Sequence, residues 1–264
     1  MKGRHRVRAT KAESQKSARR GEQTELREHG ICHIHYDTSC LDKLREICTT
    51  CKVIQKAAKT KPGGVVVAED YETGQEAAFR RGTVNGNTSG IFYLNADNEF
   101  ALSLFQPLFD ETGAAEAMRA AGVDSPEGIS PGNIDVPSAQ LIIIEDRSVR
   151  ISKWHQDYAC VEPHQMYSAI TALFTIPEGA GGLEFKPWKP GSLEDGEPRC
   201  VKYDDGKLVI FDGRLTHRTE PYEHSEGTRV VAVMDCYAGQ DHKSALCKVV
   251  GDNRGNGFSR FREA

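Results

Sequence analysis

The sequence predicts a mainly β protein with flanking α-helices, built as a barrel or double-sheet jelly roll. Three observations predict it. Runs of β-branched and apolar residues recur at regular spacing in the second half, at 140–145, 148–158, 166–176, 182–185, 207–211 and 228–236. Turn residues separate these runs, and 25 glycines and 11 prolines supply many turns. Helical spacing of apolar residues is confined to the first half. Six or more short strands with turns between them is the pattern of closed or double-layered β architectures.

The 264 residues suffice for one large domain, or one with a small attachment. A hydrophobic share of 38% and a charged share of 27% suit a globular chain rather than a disordered one. No apolar run approaches the roughly 20 residues of a membrane span, so no membrane partner is expected. The start, Met1-Lys2-Gly3-Arg4-His5-Arg6, lacks the apolar stretch of a secretory signal. A net charge of -4 gives no bias towards nucleic acid. Residues 1–20 nevertheless carry eight Lys/Arg against one acid, Glu13. We read 1–29 as a solvated, disordered arm, with organelle targeting or nucleic-acid contact as the alternatives. Eight cysteines in a chain this long do not form a disulfide scaffold. Free thiols in a reducing, intracellular and cytoplasmic setting are the expectation.

Taken in order, 31–36 alternates and reads as a strand. Leu41, Leu44, Ile47, Cys48, Cys51 and Ile54 recur at helical spacing, which predicts an amphipathic helix over 40–58. Cys48-Thr49-Thr50-Cys51 lies near Cys32, His33, His35 and Cys40 and invites a zinc hypothesis. It has no second Cys-x-x-Cys partner, and both thiols fall on the apolar face, so packed, reduced cysteines are the better reading. Lys61-Pro62-Gly63-Gly64 ends the helix. A strand at 65–68 follows, then a loop at 70–90 around Arg80-Arg81-Gly82, whose arginines read as a solvated face rather than a contact for an acidic substrate. Helices are predicted at 100–109 and 114–121, and a loop at 122–138. The domain plan is thus 30–138 as helical and loop support with a lid, 139–237 as the jelly-roll core, and 238–264 as a polar tail. Residues 30–264 form one compact domain in this plan.

The chemistry centres on Lys153-Trp154-His155-Gln156-Asp157-Tyr158. On an extended strand, residues i and i+2 point to one face, so His155 and Asp157 converge. They make two-thirds of the two-histidine, one-carboxylate set that holds non-haem Fe(II) with open positions. His217, in the turn after the 207–211 strand, is the candidate third ligand. Arg229 begins an apolar strand in phase with Val231 and Val233, which aims it at the interior. A buried guanidinium without a counter-anion is costly, and its planar fork matches a carboxylate. That points to a dicarboxylate ligand, with Arg218 or Arg214 as alternative anchors.

The ordered set His155-x-Asp157, His217, Arg229 resembles the Fe(II)/2-oxoglutarate-dependent oxygenases. The local texture is most similar to their prolyl-hydroxylase-type branch. It comprises a Tyr-bearing strand after His155-x-Asp157, the Gly181-Gly182 turn, Phe211…His217-Arg218-x-Glu220-Pro221, and Gly227-x-Arg229. The resemblance covers about residues 139–236, and the interval from His217 to Arg229 is longer than in many prolyl hydroxylases. It implies a double-stranded β-helix (cupin-like) core, with His155, Asp157 and His217 as iron ligands and catalytic residues. It also implies Arg229 on the distal carboxylate of 2-oxoglutarate, O2 as co-substrate and ascorbate as reductant. Tyr167 and Thr171 are candidates to hydrogen-bond 2-oxoglutarate, with ordinary sheet packing an equal alternative. Trp154 and Tyr158 read as packing residues facing away from the ligands, Trp188 as lining the pocket mouth, and His164 as a loop histidine.

The implied reaction oxidises an unactivated C–H bond by hydroxylation, desaturation or oxidative cyclisation. A carboxylate at 157 argues against halogenation, which needs that position vacant. The substrate reading is a small, amino-acid-like metabolite. The alternatives are a peptidyl-prolyl hydroxylase and a non-catalytic, metal-containing jelly-roll binding protein. A purely structural metal needs no open position and no dicarboxylate anchor, which weighs against the last.

Overall fold

The computed structural model describes residues 25–83, 91–122, 135–145, 153–159, 161–222 and 227–238. Eleven strands form two sheets among these residues, and every pairing is antiparallel. The strands are β1 (Ile31–His35), β2 (Val65–Glu69), β3 (Glu76–Thr83), β4 (Ile91–Ala96), β5 (Asp135–Ile144) and β6 (Met166–Ala172). They continue with β7 (Leu183–Phe185), β8 (Arg199–Val201), β9 (Lys207–Asp212), β10 (His217–Thr219) and β11 (Arg229–Tyr237). The large sheet runs β1-β9-β6-β11-β5-β4-β3-β2, and the small sheet runs β10-β7-β8.

Alternation along β11 divides the interior in two. Val230, Ala232, Met234 and Cys236 enter a large apolar cluster that packs against the helices. Val231 and Val233 enter a smaller one with Leu183, Phe185 and Tyr203 from the small-sheet side. Every position of β6 and β11 is therefore buried, as in strands covered on both faces. This explains why their sequences read as continuous apolar runs.

The helices are α1 (25–29), α2 (Asp42–Thr50), α3 (Val53–Lys59), α4 (Glu99–Ser103), α5 (Gln106–Asp110) and α6 (Ala114–Gly122), with a 3-10 turn at Thr38–Leu41. The predicted single helix over 40–58 is broken at Lys52, whose φ of 53° is left-handed. The break lets the Cys51 thiol donate to the Glu69 carbonyl at 3.2 Å, joining the helix pair to β2. Cys32, Cys48 and Cys51 are buried free thiols in the large cluster.

The first half departs most from expectation. Within the predicted 70–90 loop, residues 76–83 form a strand and 84–90 lie outside the described residues; 91–96, to which no element was assigned, form another strand. Arg80 disguised β3 as a solvated loop, but its charge is satisfied by two hydrogen bonds to Asp97, at 3.0 and 2.9 Å, and one to the Gly63 carbonyl at 2.9 Å. Arg81 donates to the Thr60 carbonyl and lies 4.7 Å from the centre of the Phe92 ring. Within the predicted 122–138 loop, 135–138 open β5 and 123–134 are outside the described residues. The 189–206 stretch carries β8. Of the predicted arm, 25–29 are helical with Leu26 fully buried, and 1–24 are outside the described residues, as are 239–264 of the tail. No helix among the described residues is long and apolar enough to cross a membrane.

Phe79 on β3 is fully buried in the cluster that binds this extension to the helices. Phe79→Ala is expected to cost about 3–5 kcal/mol of unfolding free energy, read from urea denaturation. A loss near zero would mean that the β2–β4 extension does not pack as described.

Candidate metal centre

Two turns build the centre. Asp212 ends β9 with no exposed surface; its carboxylate accepts from the Arg214 N–H at 2.8 Å and the His164 N–H at 2.5 Å. The Leu215 N–H donates to the Asp212 carbonyl at 2.8 Å, closing the turn that presents His217. The second turn begins at Asp157. Its Tyr158 N–H donates to the Gly213 carbonyl at 2.9 Å, and a Cβ on Gly213 would lie 2.5 Å from the Tyr158 ring. Glycine at 213 is what allows the two turns to interlock.

His155 and His217 then pair directly. The His155 N–H donates to the His217 carbonyl at 3.0 Å, and the His217 N–H to the His155 carbonyl at 2.9 Å. Their ring centres are 4.5 Å apart. Each Nδ1 lies 2.9 Å from a backbone carbonyl, that of Lys153 for His155 and that of Leu215 for His217. A carbonyl only accepts, so each Nδ1 carries a proton, which in the neutral ring leaves the lone pair on Nε2. Both Nε2 atoms point at Asp157, each 3.5 Å from one of its carboxylate oxygens. The three donor atoms lie within 4.8 Å of one another. Two ligands at right angles about 2.1 Å from an ion are about 3 Å apart, and the two contacts to the Asp157 carboxylate, at 3.5 Å, are near that spacing. His217 is buried against Phe211, at 4.7 Å between ring centres, whereas His155 is exposed. Burial lowers the His217 pKa, with Asp157 opposing, and keeps the ring in the neutral form a metal requires.

The convergence does not arise as the alternation argument expects. His155 forms an isolated bridge, Asp157 belongs to a turn, and 146–152 lie outside the described residues. A cross-strand pair and a turn bring the ligands together, rather than one face of a continuous strand.

Arg229 is 3% exposed, on the face of β11 that carries Val231 and Val233. Its Nη1 donates to the Gly181 carbonyl, and its buried Nε has no partner. The guanidinium carbon lies 5.6 Å from the Tyr203 ring centre and 5.9 Å from that of Tyr222. A Cβ on Gly181 would meet the Glu220 carbonyl at 2.3 Å, so glycine there permits close backbone approach. The guanidinium thus sits level with the chain just past β10, about 10 Å along from His217 at strand rise. Arg218 pairs with Glu184 at 2.7 Å and lies 4.4 Å from the Trp154 ring centre, while Arg214 is 4.0 Å from Glu162.

Tyr167 and Thr171 are not brought to the centre. They occupy the phase of β6 that turns away from the smaller cluster, while Ile170 and Ala172 face it. Thr171 donates to the Lys207 carbonyl at 2.9 Å and pairs with the Tyr36 hydroxyl at 2.9 Å. Trp188 is not at a pocket mouth either; it is 3% exposed and packed on Gly30. His164 sits in a turn with φ of 65°, and its ring is 5.5 Å from that of Trp188. Trp154 is half-buried beneath Arg218 and Lys186, and Tyr158 is buried with Val161, Met166 and Tyr237.

One functional-looking residue escaped the sequence reading. Asp235 is buried in phase with Arg229 and accepts from Ser138 at 2.6 Å, Ser168 at 3.2 Å and the Tyr158 hydroxyl. It therefore ties β5, β6 and β11 to the residue after Asp157. Burial pushes its carboxyl up to about 6. The phase that aims Arg229 inward was the available signal.

No protein-family model matches the chain, and no curated protein matches it in sequence. Solved structures match it in fold. AviO1 from Streptomyces viridochromogenes Tue57 aligns with a TM-score of 0.56 at 17% identity, over 84% of this chain and 96% of its own. SnoN, the non-heme alpha ketoglutarate dependent epimerase from nogalamycin biosynthesis, aligns with a TM-score of 0.55 at 13% identity, over 87% and 88%. A Pseudomonas putida prolyl-4-hydroxylase aligns with a TM-score of 0.50 at 15% identity, over 84% and 99%. The chain shares its fold with these three proteins. At these identities the likeness is one of fold, so the chemistry must be argued from the residues.

Burial pushes the Asp212 carboxyl up to about 7, against its two backbone donors. An unfolded aspartate titrates near 3.9, so this group's contribution to stability is complete below about pH 4 and lost as pH rises to about 7. Burial pushes His164 down to about 4, so its contribution holds above about pH 6.5 and is lost as pH falls. Urea midpoints for Asp212→Asn, relative to wild type, are expected to improve steadily from about pH 4 to about pH 8. A pH-independent difference would show that Asp212 keeps an ordinary carboxylate pKa in the folded protein.

Proposed function

We propose that the protein is an Fe(II)/2-oxoglutarate-dependent dioxygenase that oxidises an unactivated C–H bond of a small metabolite. The observation that carries this reading is Arg229. Its buried guanidinium, with one unpartnered nitrogen, borders the same apolar cluster that holds Phe211, the ring against His217. A buried, incompletely paired cation is costly unless a ligand anion completes it.

The donor set suits Fe(II). Two imidazole Nε2 atoms and one carboxylate form a facial triad, leaving room for a chelating co-substrate and O2. His155, Asp157 and His217 would hold the metal, and the backbone carbonyls on each Nδ1 would fix the tautomers. Arg229 would fork onto the distal carboxylate of 2-oxoglutarate. Burial pushes the neighbouring Tyr203 hydroxyl up to about 12, so it stays neutral beside that charge pair. When bound, iron would supply oxidative chemistry in which O2 and 2-oxoglutarate would be converted to succinate and CO2, leaving one oxygen atom to oxidise the substrate.

The protein's own part is orientation and exclusion of water. Leu183, Phe185, Val231 and Val233 line the interior between the sheets and keep it dry. With a metal held, Asp157 would take the coordination position that a halide would need, which supports hydroxylation, desaturation or cyclisation. The dependence of SnoN on alpha ketoglutarate, on the same fold, supports the same assignment.

Purified protein supplied with Fe(II), ascorbate and 2-oxoglutarate is expected to form succinate. His155→Ala should lose bound iron and succinate together. Arg229→Ala should retain iron and weaken 2-oxoglutarate binding about 10- to 100-fold, as expected for a lost charged hydrogen bond. Unchanged iron content in the first variant sinks the metal assignment, and unchanged 2-oxoglutarate affinity in the second moves the anchor elsewhere.

A further inference from the structure

The inner face of the large sheet continues past β5 onto β4, β3 and β2. Strand register arranges its side chains in rows. One row runs Gly82, Tyr93, Ile142, Val231, Ala172, and the next runs Arg80, Asn95, Gln140, Val233, Ile170. Cross-strand neighbours in such rows are about 4.5–5.5 Å apart. Val231, Val233, Ile170 and Ala172 belong to the smaller cluster, so both rows lead into the interior that Arg229 and His217 border. The opposite face of the same strands, with Phe79, Phe92, Leu94 and Leu141, is filled by the large cluster.

Tyr93, Asn95 and Gln140 stand side by side on this face. All three are half-buried, and none has a side-chain hydrogen bond to another described residue. Tyr93 stands in the row that ends at Val231 and Ala172, two residues from Arg229 along β11, and Asn95 and Gln140 stand in the next row, at Val233. Gly82 keeps the space beside Tyr93 clear. A Cβ there would be 3.3 Å from the Asn95 amide nitrogen and 3.5 Å from the Tyr93 Cβ. Arg80 is the charged residue of the two rows, and Asp97 and the Gly63 carbonyl occupy its guanidinium. Farther out on the same face, Val65 and Val67 are 40% and 44% exposed.

We propose that Tyr93, Asn95 and Gln140 recognise the substrate, and that the substrate is neutral: an apolar ring or chain framework bearing hydroxyl or carbonyl groups. The proposal rests on the oxygenase reading and departs from the amino-acid-like expectation. On the oxygenase reading Arg229 is taken by 2-oxoglutarate and Asp157 by the metal, and Asp97 and the Gly63 carbonyl hold Arg80, so a carboxylate or ammonium seated on these two rows would meet no free opposite charge in them, and burying it unpaired is costly. Phenol and carboxamide groups both donate and accept, which matches a hydroxyl or carbonyl at each contact. The apolar neighbours Ile142, Val231 and Val233 take the framework. Tyr93, in the row nearer Arg229, positions the part of the substrate at that end of the interior.

The test uses full-length, Zn(II)-loaded protein labelled with 3-fluorotyrosine and saturated with 2-oxoglutarate. The fluorine resonance missing from Tyr93→Phe identifies the Tyr93 signal. Cyclohexanol and 2-naphthol are expected to shift that signal, while L-leucine and L-proline at equal concentration leave it in place. Gln140→Ala should weaken 2-naphthol binding about fivefold, the scale of one neutral hydrogen bond. A shift from the amino acids, no shift from the alcohols, or unchanged 2-naphthol affinity in Gln140→Ala overturns the proposal. Wild-type protein loaded with Co(II) separates the two readings. If 2-oxoglutarate does not perturb the Co(II) absorption, the oxygenase reading itself fails. If it does and the probes behave contrary to expectation, only the substrate class fails.

Discussion

The centre depends on one reciprocal contact, the pair of backbone hydrogen bonds between His155 and His217. Each residue donates to and accepts from the other, at 3.0 and 2.9 Å. Without that bridge the two segments have no fixed register, and the imidazoles no fixed separation. With it, the rings face one another and Asp157 closes the triangle from the adjoining turn. The backbone pair fixes where the two side chains start, and the Nδ1 contact of each ring to a carbonyl fixes its orientation. The Asp212 turn and the interlock of Tyr158 with Gly213 serve this bridge, since they hold both arms at the height where it forms.

The chemistry of the site was more legible in the sequence than its geometry. Histidine at 217 and arginine at 229 are buried, where such types are costly or rare, so they carry information by themselves; His155 is exposed and Asp157 half-buried, and only their spacing pointed to them. Arg229 could also be aimed, because the polar residue at its position marks the phase of an otherwise apolar strand. Tyr167 and Thr171 could not. Every position of β6 is buried, so no alternation of polar and apolar residues reveals which face a side chain takes. A one-residue error in phase then moves both to the wrong side of the sheet.

The rest of the fold was hidden for related reasons. β3 and β4 were obscured by charges whose partners are distant in sequence, as Arg80 finds Asp97, and by a connection rich in glycine and asparagine. β8 is three residues long and carries no run to detect. The break at Lys52 has no glycine or proline to announce it. In each case a tertiary contact, such as the Cys51 thiol on the Glu69 carbonyl, overrides what local composition implies.

The Nδ1 contacts of the two histidines have a consequence for sequence drift. In both, the acceptor is the carbonyl two residues earlier, Lys153 for His155 and Leu215 for His217. In many metal sites a carboxylate fills this role, and losing it costs affinity. A peptide carbonyl is present whatever the side chain, so no substitution at 153 or 215 that spares the backbone removes it. Tautomer control is thereby uncoupled from residue identity. Substitutions can accumulate around the two histidines without disturbing which nitrogen holds the proton.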